Sequence, residues 1–306
     1  MKIVRALLVV SIAVAPAQNL AAQPTRAPTE NVTVTGTKSR EVLEKFVESF
    51  AAPTRMIGKI ARWQDGICPV TVGLRPAAAK FITQRVKDVA AKVGAPVSHQ
   101  VPCKLNVEIV FTTTPQGYLD NIRENHPVYL GYHDNSAQAE LMAKVTHAIQ
   151  AWYTTATIDA NGRPQVDAGG KGSGLWLFIG AGPPIFLPSA QSFAVKASRL
   201  GDGLRSSLYH VIIVVDPNKL VDYEIGSLAD YITMLALSQL NSLDTCQQLP
   251  SIVNMLAAGC ERKVDTLTDN DLGYLRGLYK MNADWTARSQ QDEIAYQMEQ
   301  SSGAGK

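Results

Sequence analysis

Asp230 is the first residue with chemical potential, a carboxylate in the strongly apolar run Gly226-Ser227-Leu228-Ala229-Asp230-Tyr231-Ile232-Thr233-Met234-Leu235-Ala236-Leu237-Ser238-Gln239-Leu240-Asn241. An acid in such surroundings works as a general base only with a partner in hydrogen-bond reach, and this helix supplies none. Ser227-x-x-Asp230 is also the spacing of a capping box, in which the carboxylate takes up the Ser227 amide at a helix start, and that reading is preferred. The histidines are His99, His126, His133, His147 and His210. His126 and His133 flank Pro127 and Gly131 at a spacing that fits no standard metal template. His210 opens an apolar strand and reads as structural. Gly169-Gly170-Lys171-Gly172-Ser173-Gly174 lacks the Gly-Lys-Ser/Thr ending and the strand-to-helix frame of a phosphate loop. Gly172 stands where a nucleophile elbow needs serine, so the segment reads as a flexible loop.

The compartment follows from the N-terminus. Lys2 and Arg5 precede the apolar run Ala6–Ala15, and Leu20-Ala21-Ala22 precedes a Pro/Thr-rich stretch, which is the pattern of a secretory signal peptide over 1–22. Pro16, Gln18 and Asn19 break the run well short of the ~20 apolar residues of an anchor helix. Its removal takes two of 29 basic residues and no acidic one, leaving 27 against 27. A neutral chain without a Lys/Arg stripe argues against nucleic-acid binding and polybasic membrane adsorption. Four cysteines in an exported chain favour disulfides. Spacing suggests Cys68 with Cys103 and Cys246 with Cys260, the latter closing a loop of about 15 residues worth roughly 3 kcal/mol; other connectivities stay open. With 46% apolar and 18% charged residues, the chain buries a core without a metal.

The positioning elements are predicted as follows. A flexible leader covers 23–38. A helix from Ser39 carries Val42, Leu43, Phe46, Val47 and Phe50 on one stripe and ends before Pro53. Ile60–Trp63 through Cys68–Val72 form short strands or a hairpin. A long helix has Pro76 in its first turn, Ile82, Val86, Val89 and Val93 on one face and Gly94 beyond its end. Leu105, Val107, Ile109 and Phe111 alternate as a strand. Thr114-Pro115 opens a helix with Leu119 and Ile122, and a strand near 149–158 points Trp152 and Tyr153 to opposite faces. Residues 161–203 read as an irregular excursion with an apolar stretch, Leu175–Ile179. Within it Gly182-Pro183-Pro184 and Ile185–Pro188 form either an exposed contact or a flap folded onto the core. Tyr209–Asp216 is a buried strand stopped by Pro217, and helix 226–241 follows. Thr268 and Asp271 have capping-box spacing before Leu272, Leu275 and Leu278. From Asp284 the chain is polar and helical, with a disordered tail at 301–306. This order argues for one α+β domain over 39–300 with a mixed sheet.

The C-terminal third resembles the end of a zincin-like metallopeptidase of the metzincin kind. Helix 226–241, the turn Pro250-Ser251-Ile252-Val253-Asn254-Met255 and Leu267-Thr268-Asp269-Asn270-Asp271-Leu272-Gly273-Tyr274-Leu275-Arg276-Gly277-Leu278-Tyr279 match the family's site helix, serine-isoleucine-methionine turn and closing helix. The resemblance covers about 55 residues and implies a zincin-like C-terminal half. In the family the helix reads His-Glu-x-x-His-x-x-Gly-x-x-His, with histidines on zinc and the glutamate activating water. Aligned on Asp230, the metal positions fall on Ala229, Thr233 and Gln239, the glycine on Ala236 and the turn methionine on Val253. No metal ligand survives, which implies loss of the family mechanism and no cofactor. The chain is also similar to uncharacterised exported bacterial proteins of the same degenerate pattern, which implies no activity.

The resulting expectation is a non-catalytic periplasmic or secreted protein that binds a protein partner or small ligand in the old cleft or on 161–203. The alternatives are a periplasmic hydrolase with a relocated site using Asp230 with His126, His133 or His210, and a structural envelope protein with a broad apolar patch.

Overall fold

The structure, a computed structural model, describes residues 40–167, 174–177, 185–188, 193–196 and 201–303. The expected signal peptide and leader, most of the Gly169–Gly174 loop and Gly182–Pro184 lie outside them. The helices are α1 (Arg40–Phe50), α2 (Pro76–Val93), α3 (Pro115–Asn125), α4 (Ser136–Met142), α5 (Ile225–Leu237), α6 (Asp269–Lys280) and α7 (Ala287–Gly303). The strands are β1 (Arg62–Trp63), β2 (Pro69–Val72), β3 (Val107–Phe111), β4 (Ile149–Ile158), β5 (Pro164–Val166), β6 (Gly174–Leu177), β7 (Ile185–Pro188) and β8 (Arg205–Val215).

The main sheet runs β2-β3-β8-β4-β5, with β1 beside the start of β8. β2, β3 and β8 are mutually parallel, and β4 lies antiparallel to β8 from Ile149↔Val215 to Ile158↔Arg205. This is a mixed α+β sheet in a single compact unit. The second half of β8, Val211–Val215, is apolar without alternation because both of its faces are covered. Val107, Ile109, Val211, Ile213 and Val215 pack into one core with α1, α2, α5, α6 and α7. Ile212, Val214 and Trp152 face a smaller core built from α3, the 3-10 turn Pro127–Leu130 and α4. Trp152 and Tyr153 therefore do serve opposite faces.

Local signals placed several elements as expected. The α1 stripe Leu43, Phe46, Val47 and Phe50 is buried, with the Phe50 and Tyr274 ring centroids 5.2 Å apart. Pro76 starts α2, and Gly94 ends it at φ 84°, a left-handed conformation that glycine adopts at no steric cost. Other expectations need correction. Residues 60–72 form no hairpin: β1 pairs with β8 and β2 with β3, both in parallel. The 161–203 excursion contains β5, which extends the main sheet, and β6–β7, an antiparallel pair. α7 continues to Gly303, beyond the 301 boundary expected for a disordered tail. Both disulfides pair as the spacing suggested, with Cα–Cα distances of 6.0 Å for Cys68–Cys103 and 5.4 Å for Cys246–Cys260.

A buried lysine ties three segments together. Lys59 Nζ donates to Asp202 Oδ1 at 2.5 Å, Leu204 O at 2.7 Å and Asp284 O at 2.6 Å, so its three protons are all taken. Among the described residues no helix is long and apolar enough to cross a membrane.

Candidate functional site

Helix α5 leaves the C-terminal end of the central strand β8 and is buried all round from Ser227 to Leu237. Its last carbonyls are closed by aromatic donors instead of a glycine cap. Trp63 Nε1 reaches Ala236 O at 2.8 Å, Tyr279 Oη reaches Leu237 O at 2.7 Å, and Tyr153 Oη reaches Leu235 O and Ser238 O at 3.0 Å. Three elements thus clamp one helix end.

The positions aligned with zinc ligands fall in different surroundings. Ala229 and Thr233 are fully buried, and the Thr233 hydroxyl donates back to Ala229 O at 2.7 Å. Ala236 and Val253 are equally buried. Gln239, beyond the helix end, reaches open space, and its buried Oε1 has no partner among the described residues. Among the described residues no group of three or more His, Cys, Asp or Glu could hold a metal ion.

Asp230 does not cap Ser227. α5 starts three residues earlier than that reading requires, with Glu224 instead of Ser227 as its N-cap residue. The Asp230 carboxylate turns outward instead, taking Arg85 Nε at 2.5 Å and the Leu267 amide at 2.9 Å. The bond to Asp230 raises the Arg85 pKa further above its ordinary value. The acid joins α5 to α2 and to the segment before α6.

Asp271 explains why the turn and the closing helix occur together. It is fully buried, and it completes the capping box with Thr268. It also accepts from Ser251 Oγ at 2.5 Å and the Ile252 amide at 2.9 Å. One carboxylate thereby holds the Ser251 turn against the start of α6. Burial pushes its pKa up, and bonds from Ser251, Thr268 and Ile252 oppose that shift.

The histidines do not converge with Asp230. His133 Nδ1 lies 2.8 Å from Gly131 O, and His210 Nε2 lies 3.1 Å from Glu108 Oε1. The His210 bond lowers the Glu108 pKa. The Tyr129 ring centroid lies 4.5 Å from that of His210 and 6.1 Å from that of His126, tilted against both. None of the three lines the 380 Å³ hollow where Asp230 lies beside Arg85 and Phe81. His147 sits in a chain not foreseen from sequence, with Thr146 Oγ1 2.8 Å from Nδ1 and Asp244 Oδ1 2.8 Å from Nε2. Asp244 is 82% exposed, so water competes for its bond and the chain is a weak relay.

A cavity of about 600 Å³ lies along the outer edge of β4. Ala52–Arg55 and Gln239–Asn241 form one wall, and α4 with Tyr132 forms the other. Asp216 N donates to Ala148 O, which sets the alternation of the ladder. Gln150, Trp152 and Thr154 therefore exchange bonds with β8, while Ala151 and Tyr153 turn their N–H and C=O groups away from it. β5 pairs with β4 only from Ala156 to Ile158, so the edge at Ala151 is open to the cleft, while the Tyr153 carbonyl is covered by the backbone of Gly131. Gly131 closes down on it at φ 93°, where an added Cβ would stand 2.5 Å from Tyr153 O. The cleft escaped sequence reasoning because its walls come from distant segments. The seven-residue α4 was detectable, since Asn135 caps it and good helix formers follow.

No family model matches the chain, and neither the curated proteins nor the solved structures contain a match.

Proposed function

We propose that the chain is an exported, non-catalytic protein on a zincin-like scaffold, and that the cleft beside β4 binds an extended polypeptide by adding it to the sheet. The observation that carries this reading is the open edge at Ala151 on the cleft floor. Main-chain groups on an open edge give affinity for any extended segment, and alternate side-chain pockets give selectivity. The order β8 then α5, an antiparallel β4 beside β8, and the Ser251 turn bound to α6 support the zincin-like part. The two metal-ligand positions packed into the core support the non-catalytic part.

A hydrolase using Asp230 with His126, His133 or His210 has less support, because those groups are engaged with different partners in different places. The test titrates the mature chain with a Thr/Val hexapeptide while reading the fluorescence of Trp152, which lines the cleft. Two further hexapeptides carry N-methyl groups on odd or on even residues. Strand addition predicts that one methylated series fails to bind while the other binds like the parent. Equal binding of both series refutes it. Stoichiometric zinc, lost in Asp230→Asn together with a peptidase activity, overturns the non-catalytic assignment.

A further inference from the structure

The charge of the cleft narrows the occupant. Its lining includes two charged side chains, Arg55 and Lys144, and no carboxylate. Most other cations near an acid are paired with it, among them Arg40, Lys45, Lys59 and Arg85. Among the described residues neither Arg55 nor Lys144 has a carboxylate partner. Arg55 Nη1 instead spans the cleft to the neutral amide oxygen of Gln138, at 3.3 Å. The nearby Asp134 carboxylate raises the pKa of the Tyr132 phenol.

We infer that the occupant is an extended peptide with acidic side chains, held along the open edge at Ala151 and gripped by Arg55 and Lys144. The inference rests on the strand-addition reading above and adds its chemical class. A carboxylate entering at Arg55 replaces a neutral acceptor by a charged one, and such bonds are shorter and roughly twice as strong. In an extended segment side chains i and i+2 share a face about 7 Å apart, so carboxylates at alternate positions can serve cations along one cleft.

The experiment compares acetyl-Glu-Val-Glu-Val-Glu-Val-amide with its Lys-for-Glu counterpart, using the mature chain at low and moderate salt. The acidic peptide should bind about tenfold tighter, with the margin shrinking as salt rises. Arg55→Met and Lys144→Met should each lower its affinity several-fold, and the double variant should abolish the preference. Neither residue is a core contact, and thermal melts of the variants confirm that they fold. N-methylation on odd or even residues of the acidic peptide separates the two ideas. Equal affinity for acidic and basic peptides, with one methylated series dead, overturns the charge inference and leaves strand addition standing. An acidic preference insensitive to methylation overturns strand addition and, with it, the extended occupant. No binding of either peptide overturns both.

Discussion

Asp271 is the best point at which to test whether the turn and the closing helix form one unit. Its Oδ2 accepts from the Ile252 amide, the Thr268 amide and the Thr268 hydroxyl, and its Oδ1 accepts from Ser251 Oγ. In Asp271→Asn the amide oxygen takes the three-donor side, and the new NH2 faces Ser251 Oγ, which can rotate to accept. The buried Ser251 hydroxyl then loses its acceptor and the second amide N–H finds none, while the weakening of the charge-assisted bonds is offset because a charge is no longer buried, so the expected loss is about 3 kcal/mol. Asp271→Ala leaves those donors buried without an acceptor and removes the helix cap, for a loss of about 5 kcal/mol or more. In a domain of this size the asparagine variant should melt roughly 6–12 °C lower. Urea titration gives the free energy directly. The pH dependence is a second readout. Burial raises the Asp271 pKa, so on acidification the folded state takes up this proton before the unfolded state does. The contribution of Asp271 to stability therefore grows as pH falls from its folded value toward the unfolded one, and the deficit of Asp271→Asn should not shrink at about pH 5. An asparagine variant within about 1 kcal/mol of the parent, or an alanine variant no worse than asparagine, refutes the single-unit reasoning.

Three further outcomes follow from the same geometry. Lys59→Met leaves two carbonyls without their donor while the half-exposed Asp202 carboxylate turns to water, and should cost about 2–4 kcal/mol by chemical denaturation, while Lys59→Arg should recover little because a forked guanidinium does not fit three converging acceptors. Gly131→Ala places a methyl against Tyr153 O at a positive φ; it should cost about 2–4 kcal/mol and weaken binding of the strand-adding hexapeptide, read by melting and by titration. Histidines placed together at 229, 233 and 239 should give an unfolded or strongly destabilised protein without stoichiometric zinc, read by circular dichroism and metal analysis, because two of the three sites are packed core.

What could be read from the sequence was local in origin. The α1 stripe, the Pro76 and Gly94 ends of α2, the Thr268–Asp271 box and the apolar β8 each depend on residues a few positions apart. What could not be read depends on distant partners. Arg85 and Asp230 are 145 residues apart, so the same carboxylate that fits a capping box locally is taken by another helix. The strands within 161–203 were hidden by glycine and proline, because β5 needs only three residues beside β4 to be held. The cleft was invisible for the same reason, since its floor, walls and cations come from four separate stretches of chain.

The burial of α5 connects these observations. A helix that offers ligands to a metal must keep one face open to solvent, and every residue of α5 from Ser227 to Leu237 is buried instead. Alanine at 229 and 236 lets neighbouring elements approach the helix, and threonine at 233 satisfies its hydroxyl on its own backbone, so this face closes without an orphaned polar group. The aromatic donors Trp63, Tyr153 and Tyr279 complete the closure at the helix end. Gln239 lies just past that clamp, and it alone of the three aligned positions meets open space. The boundary between packed core and cleft therefore falls at the end of α5, beside the edge of β4.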